Sequence, residues 1–303
     1  MEVLFKSVKE LVALAESSSK PISEIMIEQE MLLSRRTREE IIAQMDNNLT
    51  VMEEAVEKGL QGVQSTSGLT GGDAVLIQKY MASGKSLSGD LILDAVSKAV
   101  ATNEVNAAMG TICATPTAGA AGIVPGTLFA VKNKLNPTRD QMLNYLFTTG
   151  AFGFVVANNA SISGAAGGCQ AETGSAASMA AAAIVEMAGG TPQQSAEAFS
   201  IVMKNMLGLV CDPVAGLVEV PCVKRNAMGA AKALVGADMA LAGVVSRIPT
   251  DEVIDAMHRI GQSMPSALRE TAKGGLATTP TGKALEAKIF GGTKENSDHI
   301  PSS

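Results

Sequence analysis

Apolar residues recur at three- and four-residue spacing through almost all of this chain, and the alternation of a half-buried strand is scarce. That periodicity restricts the fold to packed helices. Helices are predicted near residues 2–15, 22–33, 38–60, 73–82, 88–108, 138–148, 171–188, 192–207, 223–246, 251–262 and 282–288. Two of the starts carry explicit signals. Thr37 and Glu40 form a capping-box pattern, and Thr191, Pro192 and Gln194 supply an N-cap, a first-turn proline and an N3 acceptor. Gly208 reads as a helix stop.

The core such helices can build is made of small and flexible side chains. The 303 residues include 30 Gly and 16 Met, aromatics are 3% and Trp is absent. Ala, Gly, Met, Leu and Val let backbones approach closely, which suits tight helix packing. The expected fold class is all-α: one compact multi-helix domain over 1–290, with residues 1–65 as a candidate subdomain and a flexible tail over 291–303.

Several function classes fall away at this point. The net charge is −6 and no Lys/Arg cluster forms a nucleic-acid footprint. The N-terminus mixes acids and lysines with its apolar positions, as an amphipathic helix does and a secretory leader does not. The longest apolar stretches, 150–168 and 227–248, are interrupted by Asn158, Asn159, Ser161 and Ser163, and by Lys232 and Asp238. Neither offers the roughly 20 apolar residues of a membrane span. Four cysteines without a leader point to reduced thiols and a cytoplasmic location.

Three connectors stand out between the helices: TSGLTGGD (66–73), CATPTAGAAGIVPG (113–126) and SISGAAGGCQAETGSA (161–176). Gly allows positive φ and close approach to a ligand, and hydroxyls with freed N–H groups can hold an anion ahead of a helix. Taken singly, each also reads as a tight turn between close-packed helices.

The cysteines fit neither a zinc-finger nor a ferredoxin spacing. Cys211 and Cys222 are C-x10-C, and Cys169 lies far upstream. Each of the three adjoins a breaker or helix boundary: Gly167–Gly168, Asp212–Pro213 and Pro221. Such positions should expose the sulfur, and a helix start at Cys169 should favour its thiolate. Lys224 and Arg225 should favour negative charge near Cys222. Cys113, beside apolar Ile112, reads as a packed thiol. Four thiolates close an iron–sulfur cubane, whereas three leave one iron open to substrate.

The segments GLTGGDA (68–74), TPTAGAAGIVPG (115–126), SGAAGGCQAETGSA (163–176) and CDPVAGLVEVPCVKRN (211–226) resemble the bacterial iron–sulfur L-serine dehydratases, most closely the α subunit of the two-subunit type. The resemblance spans about residues 1–290. It implies a [4Fe–4S] cluster on Cys169, Cys211 and Cys222 with one open iron, and no pyridoxal phosphate. It also implies an all-helical catalytic domain, L-serine as substrate, and a β subunit completing a hetero-oligomer. Single-chain relatives end in a Cys that can cap the open iron; this sequence ends in HIPSS.

The implied reaction binds serine at the open iron, removes the α-proton, expels hydroxide and releases pyruvate and ammonia through an aminoacrylate. Candidates for substrate binding are Ser67, Gly68 and Thr70, then Thr115, Thr117 and Gly119, then Ser161, Ser163 and Gly164, with Arg225 and Asn226 in addition. The base has no obvious donor. His258 lies in a helical surface pattern and His299 in the tail, so Lys224 or a partner chain is the candidate. Other readings are a lyase on another small amino acid, such as a cysteine desulfidase or threonine dehydratase, and a non-catalytic iron–sulfur subunit with Cys113 as fourth ligand.

Overall fold

The computed structural model describes residues 3–291. Among these residues there are thirteen α-helices and no strand. They are α1 (Val8–Ser18), α2 (Ile22–Ser34), α3 (Arg38–Leu60), α4 (Asp73–Ala82), α5 (Asp90–Ala107), α6 (Ile123–Leu135), α7 (Arg139–Asn159), α8 (Gly164–Gly167), α9 (Ser175–Met187), α10 (Pro192–Lys204), α11 (Cys222–Leu241), α12 (Thr250–Ser263) and α13 (Pro280–Phe290). Both predicted capping boxes form, at Thr37–Glu40 and Thr191–Gln194. No helix among the described residues is long and apolar enough to cross a membrane. The predicted tail, with His299, lies outside the described residues from 292 onward.

Three departures from the expected helices have physical causes. Helix α6 sits where a connector was expected. Its Pro125 falls in the first turn, where no N–H partner is needed. Its Gly126 lets α6 press onto α5, since a Cβ there would come within 2.7 Å of Ala99 N. Helix α7 continues eleven residues past Thr148, to Asn159, with Gly153 accommodating the Met179 methyl group. Helix α1 begins at Val8 and not residue 2. Ser7 caps it by accepting from Glu10 N, and Asp251 accepts from Val8 N and Lys9 N.

The alanine-rich α9 is the central rod. All its residues from Ser175 to Val185 are buried, and α6, α7, α10 and α11 pack around it. Helix α5 forms a second hub against α3, α4, α6 and α11. Small residues make these approaches possible: a Cβ at Gly229 of α11 would lie 2.5 Å from Ile123 Cδ1. The connector before α6, the segment before α9 and the start of α11 meet at one end of this bundle, joined by the side chains described next.

Candidate functional site

The segment 168–174 makes an unusual entry into α9. Gly168 takes φ +75°, with Leu209 O and the Met264 side chain crowding where a Cβ would stand. Residues Gln170–Gly174 then form a π-helical stretch, a geometry frequent at functional sites. The fully buried Gln170 pins it. Its amide donates to Gly167 O (3.0 Å) and Met257 O (2.9 Å), and its oxygen accepts from Gly208 N (2.9 Å). Cys169 is thereby set one turn before α9, with Sγ 2.8 Å from Thr173 Oγ1.

Cys211 is held from the other side. Its N–H donates to Leu268 O and its carbonyl accepts from Glu270 N, both at 2.8 Å. Glu270 itself adopts φ +63°, a strained value for a side-chain-bearing residue. Cys222 opens α11. Asp212 ties the pieces together, accepting from Leu276 N at 2.8 Å and pairing with Arg225 at 2.8 Å in largely buried surroundings. Arg225 also donates to Val210 O at 2.8 Å.

The three thiols lie within electrostatic reach of one another. The charges of Cys169 and Cys222 both act on Cys211, and that of Cys169 acts on Cys222. The expectation that helix boundaries expose them is corrected by the structure: Cys169 and Cys211 are 3% and 4% exposed, and Cys222 is partly buried. The expected lowering of the Cys169 thiol is also corrected. Burial pushes it up, and the hydrogen bond from Thr173 and the charge of Arg225 only partly offset this. Burial pushes Cys211 up as well, and Cys222 up to about 12. Arg225 does favour the thiolates of Cys169 and Cys222, as expected for its position, whereas Lys224 acts on neither. A metal group binding these sulfurs as thiolates must displace their protons.

Two carboxylates, not anticipated from the sequence, share this space. A Cβ placed on Gly164 would lie 2.9 Å from Cys211 Sγ, 3.1 Å from Glu172 Oε2 and 3.2 Å from Glu270 Oε2. One placed on Gly119 would lie 2.5 Å from Glu172 Oε1. Thr117 Oγ1 donates to Glu172 Oε1. Glu172 is pushed up by burial first, opposed by Thr117 and raised further by Glu270. A signal for Glu172 existed: it stands three residues after Cys169, on the same helical face. None existed for Glu270, which is placed by backbone bonds to Cys211.

The other sequence candidates divide. Thr117, Gly119 and Gly164 line the space beside Glu172. Ser163 caps α8 by accepting from Ala166 N, and Ser161 accepts from Ser163 N. Thr115 contacts Ala121 O at 3.5 Å. Ser67 donates to the buried Glu219, whose oxygens lie 2.7 and 2.8 Å away. Ser67, Ala118 and Glu219 line a cleft of about 680 Å³. Gly68 turns that loop at φ +75°, and Thr70 Oγ1 is buried without a partner. Asn226 is fully buried and bonded to backbone at Gly119, Gly122 and Cys222. Lys224 is 59% exposed and pairs with Asp73, away from the thiols. His258 contacts Gln262 on the surface of α12. Cys113 lies apart, with Sγ 3.4 Å from Asn48 O.

Among the described residues, no three His, Cys, Asp or Glu side chains close on one point as ligands of a single ion would. Ligands of a cluster stand differently, because each thiolate binds its own iron.

The family model described as serine dehydratase alpha chain matches residues 17–277. The chain belongs to that family. It is 75% identical over 289 residues to the probable L-serine dehydratase, alpha chain, of Bacillus subtilis (strain 168), covering 95% of this chain and 96% of that one. It is 44% identical over 283 residues to the L-serine dehydratase, alpha chain, of Peptoniphilus asaccharolyticus, covering 93% and 97%. It is 39% identical over 281 residues to the L-serine dehydratase of Streptomyces coelicolor (strain ATCC BAA-471 / A3(2) / M145), covering 90% of this chain but 60% of that longer relative. The family segment thus contains every connector and all three clustered cysteines.

Proposed function

We propose that this chain is the alpha subunit of an L-serine ammonia-lyase that converts L-serine to pyruvate and ammonia, with a [4Fe–4S] cluster on Cys169, Cys211 and Cys222 and without pyridoxal phosphate. The observation that carries the reading is that the thiols of Cys169 before α9, Cys211 before α11 and Cys222 at the start of α11 lie within electrostatic reach of one another, inside a member of the serine dehydratase alpha chain family. The donor set suits an iron–sulfur group, since all three ligands are sulfur. Gly164 supports the fit, because any side chain there would fill the space between Cys211 and the two glutamates.

When bound, such a group supplies a Lewis-acidic iron that weakens the bond to the departing hydroxyl. The protein's own contribution is positioning. Arg225 favours the thiolate form of Cys169 and Cys222 while anchored to Asp212. Thr117 orients Glu172 toward the thiols, and the glycines at 119 and 164 leave room for a small amino acid. Thr115, Ser161, Ser163 and the loop of Ser67, Gly68 and Thr70 stay in this reading as candidates for the substrate carboxylate. The base that takes the α-proton has two candidate sources, Lys224 after release from Asp73, or a separate beta subunit. A beta subunit is favoured by the length of the Streptomyces relative, which continues beyond the part matched here. The assembled enzyme is then a cytoplasmic hetero-oligomer.

The test is a cysteine series in anaerobically reconstituted protein. Cys169→Ala, Cys211→Ala and Cys222→Ala should each lose iron–sulfur absorbance and serine turnover, while Cys113→Ala keeps both. Loss of the cluster in Cys113→Ala alone would overturn the three-ligand reading.

A further inference from the structure

Glu172 and Glu270 are not needed to explain how the thiols are held, and their arrangement points to a ligand. Glu172 is 8% exposed. Its Oε1 accepts from Thr117, and among the described residues no donor reaches its Oε2. That oxygen borders the space beside Gly164, where an added Cβ would also lie 3.2 Å from Glu270 Oε2 and 2.9 Å from Cys211 Sγ. Among the described residues no Lys or Arg pairs with either carboxylate. Arg225, the cation acting on the thiols, is engaged by Asp212 and Val210 O.

Two like charges facing one point repel, and at the buried Glu172 solvent relieves little of this, so a cation there is favoured. Among the described residues no side chain supplies one, and a zwitterionic substrate does. Thr117 donates its proton to one oxygen of Glu172, leaving the other for an N–H donor. Gly164 and Gly119 keep the approach clear, since a Cβ at either would strike the carboxylate. Glu172 forms the floor and Glu270 the solvent-facing rim.

We propose that Glu172 and Glu270 form the subsite that holds the α-ammonium group of the substrate, so that the enzyme selects amino acids over hydroxy acids of the same shape. This rests on the lyase reading above and adds a selectivity element to it. An ammonium N–H to carboxylate bond is charge-assisted and counts most where water is excluded. Glu172 therefore contributes more than Glu270.

The test uses the anaerobic holoenzyme and its isosteric variants Glu172→Gln and Glu270→Gln. Calorimetric titration measures binding of L-serine and of L-glycerate, which carries a hydroxyl in place of the ammonium. Iron content and cluster absorbance are recorded alongside, so that a variant that fails to load is recognised and the other carries the test. Serine binding should weaken by about 10- to 100-fold in Glu172→Gln, the range of one charged hydrogen bond, and less in Glu270→Gln. Glycerate binding should change little, and cluster content should stay at the wild-type level. Unchanged serine binding, or equal weakening for serine and glycerate, would overturn the subsite. So would variants that lose only a response to added KCl, which would assign the pair to a monovalent cation. If wild-type holoenzyme neither binds nor turns over serine, the lyase reading fails instead.

Discussion

Asn226 on α11 donates its amide to the carbonyl of Gly119 at 2.6 Å, and its oxygen accepts from Gly122 N at 3.1 Å. One buried side chain thus braces the turn that carries Thr117 and Gly119 against the helix that begins with Cys222. Its second amide hydrogen goes to Cys222 O at 3.0 Å. Removing it leaves buried backbone groups unpaired, each costing about 1–3 kcal/mol. Asn226→Ala should lower the denaturation midpoint clearly. Asn226→Asp should do no better, because it sets an acceptor against two carbonyls. Denaturant melts check both, and a loss below about 0.5 kcal/mol would contradict the bracing role.

Gly164→Ala tests the crowding at the thiols. Its Cβ would meet Cys211 Sγ at 2.9 Å and two carboxylate oxygens slightly farther away. Gly164 begins the short α8, so the added methyl should leave the helical fold intact while closing the site. The expected result is unchanged far-ultraviolet circular dichroism with reduced iron uptake on reconstitution. Normal iron uptake and normal serine turnover together would show that the space is not used.

Lys224 links α11 to α4 through Asp73, on the surface. An exposed ion pair is worth about 0.2–1 kcal/mol, so Lys224→Met should cost little stability. Its effect on kcat separates the two candidate sources of the base. If Lys224 takes the α-proton, kcat falls by about 10²- to 10⁴-fold. Given its exposure and its pairing, we expect less than a tenfold change.

Anaerobic pyruvate release by the reconstituted chain should rise sharply when the beta subunit is added. The gain should appear in kcat and not only in KM, because a missing base or closing wall removes stabilisation specific to the transition state. Equal kcat with and without the beta subunit would return the base to these 303 residues.

Glu104 gives a pH prediction far from the thiols. It is fully buried on α5 and accepts from Asp73 N (2.8 Å) and Ala74 N (3.4 Å) at the start of α4, which has no side-chain cap of its own. Burial outweighs these donors and holds its carboxyl above the ordinary 4.5. The folded state therefore binds this proton more tightly than the unfolded state. The stabilising effect of the proton is complete below 4.5 and is lost as pH rises through the folded value. Compared with Glu104→Gln, which cannot ionise, the wild type should gain relative stability as pH falls toward 4.5. Denaturant melts of both proteins across that range measure the difference, and a flat difference would refute it.

What the sequence determined by itself is the local structure and the family. Periodicity and caps placed most helices, because the Thr37 and Thr191 boxes are satisfied within a few residues of chain. The motifs around Cys169, Cys211 and Cys222 carried the resemblance that the family match bears out. Tertiary structure decided the rest. Helix α6 depends on how closely Gly126 approaches α5, which propensity cannot express. A helix start by itself suggests a favoured thiolate at Cys169, whereas burial in the folded chain dominates and raises the thiol. Glu270 reaches the site only because its backbone pairs with Cys211, 59 residues away in the chain. Lys224 and Arg225 are adjacent in sequence, yet successive helical residues point about 100° apart. One therefore pairs with Asp73 on the surface, and the other lies largely buried against Asp212 beside the cysteines.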